Sequence, residues 1–239
     1  MAVSVFCSSG SGAREDVILL HGLCRTSHSM KKMERALTEA GYNVRNVNYP
    51  SRTASIQKLA DDAIGKAVGE CERDGAAQIH FVTHSMGGIL VRSYLARHAI
   101  PALGRVVMLA PPNQGSEVVD KLGGFRLFKI INGPAGNELG TDENSTPNTL
   151  NSVNFAVGVI AGDRSINWIN SALIPGCDDG KVSVARTKLA GMRDHVVVHA
   201  THPFITRNRE AIRQTIQFLR IGQFSKPSAP KSDSLVSFK

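Results

Sequence analysis

No apolar run in this sequence approaches the ~18 residues that a membrane-spanning helix needs. The opening residues, MAVSVFCSSGSGA, carry no basic residue and only a short apolar stretch, so they do not read as a secretory signal, and the expected location is cytoplasmic. Aromatic residues make up only 5% of the chain. The net charge is +8, with an isoelectric point near 9.6. Yet Lys and Arg never gather into a run of five or more, and no nucleic-acid motif is visible, so nucleic acid is not an expected partner. Cysteine is scarce too. Cys7, Cys24, Cys71 and Cys177 form no C-x-x-C pair, which argues against zinc and redox chemistry. Paired Asp178 and Asp179 have no matching His or carboxylate spacing, so no metal is expected there.

What is present is enough apolar residue, 42%, for one sizeable core in 239 residues. A single domain is expected over residues 1–222, with a disordered Ser-, Pro- and Lys-rich tail over 223–239. Asp16–Leu20 is a short buried-strand pattern followed by His21-Gly22-Leu23. A helical stripe follows from Thr26 to Ala40 with Gly41 as its stop, then an alternating strand pattern over Tyr42–Tyr49. Ser55 is a cap for a longer stripe running from Ile56 to Cys71, which places Cys71 in the core. Further strands are expected at Ile79–Val82, Arg105–Ala110, Phe155–Ala161 and His195–His199, and a last amphipathic helix over Asn208–Leu219. Residues 117–152, with seven glycines and prolines between Gly123 and Pro147, read as a loop-rich cover or lid. The alternation of strands and helices predicts an α/β fold: a compact, mostly parallel sheet of about six strands with helices on both faces. In such sheets the residues just after each strand carry the chemistry.

Three strand ends hold groups that work together. Thr83-His84-Ser85-Met86-Gly87 fits the nucleophile elbow G-x-S-x-G at four of five places, with Thr83 in place of the first glycine. A serine hydroxyl is a poor nucleophile at neutral pH and needs an imidazole to take its proton, which in turn needs a carboxylate to fix its tautomer. His202 follows the last strand, with His199 as its rival. Asp179 stands before Gly180, with Asp178 and Asp163 as alternatives. His84 should point away from Ser85. The Met86 N–H at the helix start and the Leu23 N–H after His21-Gly22 are candidate donors to an oxyanion beside Ser85. Cys24 and Cys177 fall in loops near this site, where a disulfide is conceivable but free thiols are the simpler reading.

VILLHGL, THSMGG, LAPPNQGS, DDGKVSV and THPF, in this order, resemble the α/β-hydrolase superfamily, close to small bacterial lipases and esterases, over roughly residues 16–220. The resemblance implies Ser85 as nucleophile, Asp179 as acid, His202 as base, Leu23 and Met86 as the oxyanion hole, and no cofactor. Two leading strands of the family have no counterpart here, which suggests its compact six-stranded form. Pro112–Ser116 resembles the P-x-x-G-[ST] run of lipases, with its role left open. The expected activity is hydrolysis of small-molecule esters or lipids, with transient contact at a lipid surface compatible with it. Acyl transfer and amide or thioester hydrolysis share the same acyl-enzyme. A non-catalytic binding module on the same fold is the other class of reading.

Overall fold

A computed structural model describes residues 13–122, 126–166, 171 and 174–225; Cys7 and most of the expected tail lie outside the described residues. Six strands form one sheet: β1 (Glu15–Leu20), β2 (Asn43–Val47), β3 (Gln78–His84), β4 (Leu103–Leu109), β5 (Val157–Gly162) and β6 (Asp194–Val198). Every neighbouring pair is parallel, in the order β2-β1-β3-β4-β5-β6. The mostly parallel six-stranded expectation is therefore borne out, with all strands parallel.

Alternation along the strands feeds two cores. Ile18, Leu20, Ile79, Phe81, Val106 and Met108 face the helices α2 (Ile56–Arg73) and α3 (Met86–Leu95). Val17, Leu19, Val82, Val107 and Leu109 face α1 (Lys31–Glu39) and the C-terminal helix (Arg209–Ile221). Both sheet faces are thus buried, as parallel strands require. Ser55 and Asn208 cap α2 and the C-terminal helix through bonds from the N–H groups of Lys58 and Ala211, so two predicted helix starts follow from side-chain chemistry. Among the described residues no helix is long and apolar enough to cross a membrane.

The strand order reverses between β1 and β3, because the chain steps out to β2 and crosses back. That switch point is where a crevice opens at the carboxyl ends of an open parallel sheet. The loop after β1 and the elbow after β3 lie on either side of it. α3 approaches β1 closely there: a Cβ on Gly87 would lie 2.8 Å from the Leu20 carbonyl oxygen and 3.0 Å from that of His21. Gly87→Ala should therefore destabilise the fold by about 1–3 kcal/mol, a drop in Tm of about 2–4 °C for each kcal/mol. Gly69 on α2 has nothing within 4 Å of an added Cβ. Gly69→Ala should raise Tm instead, since alanine is the better helix former. Thermal melts of the two variants check both signs.

Residues 117–152 are more helical than their composition suggests. They hold α4 (Glu117–Leu122), α5 (Arg126–Asn137) and a single turn, α6 (Thr146–Thr149); the C-terminal helix is α7. α5 is broken at Gly133 (φ 66°), followed by Pro134. That break, placed where the Arg52 carbonyl crowds any Cβ, is why the glycine and proline signal masked two helical pieces.

Candidate active site

Ser85 sits between β3 and α3 with φ 53° and ψ −123°, a strained conformation for a residue with a Cβ. The turn is sharp because α3 begins at once, at Met86, against β1. Thr83, where the elbow pattern has glycine, is fully buried. Gly88 makes room for it: a Cβ there would lie 3.3 Å from Thr83 Oγ1. The departure at position 83 is thus accommodated by a second glycine on the helix.

Two more strand ends converge on Ser85. The His202 Nε2 lies 3.0 Å from Ser85 Oγ, and its Nδ1 lies 2.7 Å from Asp179 Oδ2. A carboxylate only accepts, so the network assigns the ring proton to Nδ1 and leaves the Nε2 lone pair facing the serine hydroxyl. Asp179 is held in turn. Its Oδ1 accepts from the N–H groups of Lys181 (3.0 Å) and Val182 (2.9 Å), and its carbonyl accepts from the His202 N–H (2.9 Å). Gly162, at the end of β5, leaves space for it, since a Cβ there would lie 3.0 Å from Asp179 Cβ. Asp179 and His202 are both buried.

The alternatives lie elsewhere. Asp178 accepts from Ser171 Oγ and the Gly180 N–H and so braces its own turn. Asp163 pairs with the exposed His199 ring at 2.8 Å, away from Ser85. His84 does not reach for the Ser85 hydroxyl. Its ring lies beneath His202, 4.9 Å between centroids, and its Nε2–H donates to the His202 carbonyl (3.0 Å). Among the described residues its buried Nδ1 has no hydrogen-bond partner. Burial, and then the neighbouring His202, hold the His84 pKa well below the ordinary histidine value, and burial lowers that of His21 as well. Both rings take up protons more readily in the unfolded chain. Their stabilising contribution is therefore complete above about pH 6.5 and is lost as pH falls below it. Tm should be level from about pH 8 to 7 and fall steadily from about pH 6.5 to 5; a flat profile down to pH 5 would contradict this assignment.

The loop after β1 is fixed by His21. Its ring stacks on Tyr49 (centroids 4.1 Å apart, 11° between planes), donates from Nδ1 to the Gly22 carbonyl at 2.9 Å, and accepts at Nε2 from the Tyr49 N–H at 3.3 Å. A Cβ on Gly22 would lie 3.1 Å from Ser85 Cβ. This close approach brings the Gly22–Leu23 peptide to the serine. Among the described residues no side-chain or main-chain acceptor takes the N–H of Leu23 or Met86.

Pro112 and Ser116 line the site, and the run between them ties it to the aspartate loop. Ser116 Oγ donates to the Lys181 carbonyl (2.8 Å), and Asn113 Nδ2 to that of Thr187 (2.8 Å). Arg92, buried on α3, donates to the carbonyls of Asn113 (2.9 Å) and Leu150 (2.8 Å), and burial lowers its pKa to about 10. Arg92 belongs to no motif, and its one signal in the sequence is that it is a lone arginine inside the apolar stretch Ile89–Leu95. Cys24, Cys71 and Cys177 are free thiols. Among the described residues no group of three or more His, Cys, Asp or Glu is placed to hold a metal ion. A pocket of about 130 Å³ opens at Ser85 and His202, lined by the apolar Leu23, Pro112, Val118, Val119, Leu139 and Val182 and by the charged Arg25 and Lys181.

The sequence pattern of the palmitoyl protein thioesterase family matches residues 16–154, more than half of the chain. The chain belongs to that family. Its fold is the α/β-hydrolase fold. It is similar to the lipase BlEst2 of Bacillus licheniformis in mature form (TM-score 0.68, 19% identity, 87% of this chain and 92% of that one). It is also similar to the phospholipase PlaB of Legionella pneumophila (0.67, 17%, 89% and 60%). An esterase from Thermogutta terrifontis is similar as well (0.58, 14%, 88% and 91%). No curated protein sequence matches the chain. At these identities the structural likeness speaks for the fold. The family match covers the loop after β1, the elbow, the Pro112–Ser116 run and the 117–152 segment, but ends before Asp179 and His202.

Proposed function

We propose that the protein is a serine hydrolase that cleaves carboxylic esters through an acyl-enzyme on Ser85. The observation that carries this reading is the continuous chain Ser85 Oγ–His202–Asp179 on a strained elbow. Ser85 Oγ attacks the acyl carbonyl while His202 Nε2 takes the hydroxyl proton. The Leu23 and Met86 N–H groups hold the resulting oxyanion. The bond to the leaving oxygen breaks as His202 gives it the proton, and the acyl group remains on Ser85. Water then loses a proton to His202 and attacks the acyl carbon. Release of the acid returns that proton to Ser85 Oγ. Asp179 holds the imidazolium throughout, and no cofactor enters.

Membership of the palmitoyl protein thioesterase family favours a second reading, a thioester substrate, which passes through the same acyl-enzyme with sulfur leaving in place of oxygen. Transfer of the acyl group to an alcohol would need water kept from the acyl-enzyme, which nothing in the pocket favours.

The pocket bears on chain length. Its 130 Å³ is comparable to the ~150 Å³ cavity that takes a benzene molecule, room for an acyl chain of about four to six carbons. Hydrolysis of a p-nitrophenyl ester series from acetate to palmitate, with Ser85→Ala as control, tests both points. We expect kcat/KM to peak near butyrate or hexanoate and to be at least about tenfold lower for palmitate. A peak at palmitate would mean that α4 and α5 move aside to admit substrate. No Ser85-dependent turnover of any ester or thioester by folded protein would overturn the hydrolase reading.

A further inference from the structure

The Ser85 pocket is lined by residues of two chemical kinds. Val118, Val119 and Leu139 form an apolar wall. Its charged lining residues are Arg25 and Lys181, with no aspartate or glutamate among the lining residues. Arginines elsewhere close ion pairs, Arg97 with Asp61 and Arg186 with Glu117 among them. Among the described residues neither the Arg25 guanidinium nor the Lys181 ammonium makes such a pair or a side-chain hydrogen bond. The two cations feel each other. Desolvation lowers the Lys181 pKa first and Arg25 pushes it the same way, while Cys24 and Asp179 oppose. Two like charges lining one pocket repel, and a ligand anion relieves that repulsion.

Their place in the pocket is set by the chain. Lys181 belongs to the turn whose N–H groups hold Asp179, which holds His202. Arg25 follows Leu23 by two residues. Both act electrostatically on the ring of His84, which packs 4.9 Å from the imidazole of His202, the group that delivers its proton to the departing group. We propose that the leaving group of the substrate carries a negative charge, a carboxylate or a phosphate, held by Arg25 and Lys181. This rests on the acyl-enzyme reading above.

Three thioesters with one acyl group test it: the S-butyryl derivatives of 3-mercaptopropionate, 2-mercaptoethyl phosphate and 2-mercaptoethanol. All give the same acyl-enzyme and differ in the charge of the thiol, whose release is followed with a chromogenic disulfide. The readout is kcat/KM for each anionic thioester divided by that for the neutral one. Comparing this ratio between wild type and variant cancels the intrinsic reactivity of each thiol. Arg25→Gln/Lys181→Gln should lower the ratio by about tenfold, as two part-exposed charge contacts allow, and raising salt should lower it in the wild type. A fall for the carboxylate or for the phosphate names the preferred anion. An unchanged ratio for both, with Ser85-dependent hydrolysis of the neutral thioester intact, overturns this proposal alone. Loss of Ser85 dependence for the neutral thioester overturns the acyl-enzyme reading and this proposal with it.

Discussion

Replacing Ser85 with alanine is expected to lower turnover of the best ester by ~10⁴-fold or more, at about 1.36 kcal/mol of lost transition-state stabilisation for each factor of ten. The size follows from the geometry. The hydroxyl is the only group on the elbow that faces His202 Nε2, at 3.0 Å, so alanine leaves the imidazole with no alcohol to activate. The elbow itself should survive, because φ 53° strains alanine no more than serine and the close approach of Gly87 to β1 is untouched. Rates on the ester series together with the Tm of the variant separate lost chemistry from lost fold. A loss of tenfold or less with an unchanged Tm would remove Ser85 from the mechanism.

Asp179→Asn should cost nearly as much, about 10⁴-fold in turnover, with little change in fold. Asp179 Oδ1 is pinned by two main-chain donors, Lys181 N–H and Val182 N–H. An asparagine keeps these bonds only by placing its carbonyl oxygen there. Its amide NH₂ then faces His202 Nδ1, and the imidazole must carry its proton on Nε2, where it can no longer accept from Ser85. Asp163→Asn is the control. Asp163 pairs with the exposed His199 and not with His202, so activity should stay within about twofold. A comparable loss from Asp163→Asn would move the acid role away from Asp179.

Much of this arrangement was legible before any coordinates. The parallel sheet follows from apolar runs too short for helices and separated by amphipathic stripes. The elbow follows from Gly87, which permits the 2.8 Å approach of α3 to β1 that any Cβ would prevent. Asp179 and His202 stood out as residues in the connections that follow strands, and the structure brings their side chains together with Ser85. Other parts were not legible. Glycine and proline signals in residues 117–152 mark breaks and say little about the short helices between them, so α4 and α5 read as loop. His84 depends on a contact with a residue 118 positions away, which no local pattern reports. Arg92 bonds to carbonyls from two distant segments, so its partners have no side-chain signature in the sequence. That Arg25 and Lys181 line one pocket is likewise a product of the fold.

The central claim is that Ser85 forms the covalent intermediate. Incubation of the folded protein with a fluorophosphonate, followed by peptide mass mapping, tests it most directly. The account predicts one adduct, on the peptide carrying Ser85, which disappears in Ser85→Ala and forms far more slowly in Asp179→Asn. No adduct on folded wild-type protein, or an adduct on another serine that persists in Ser85→Ala, would contradict it.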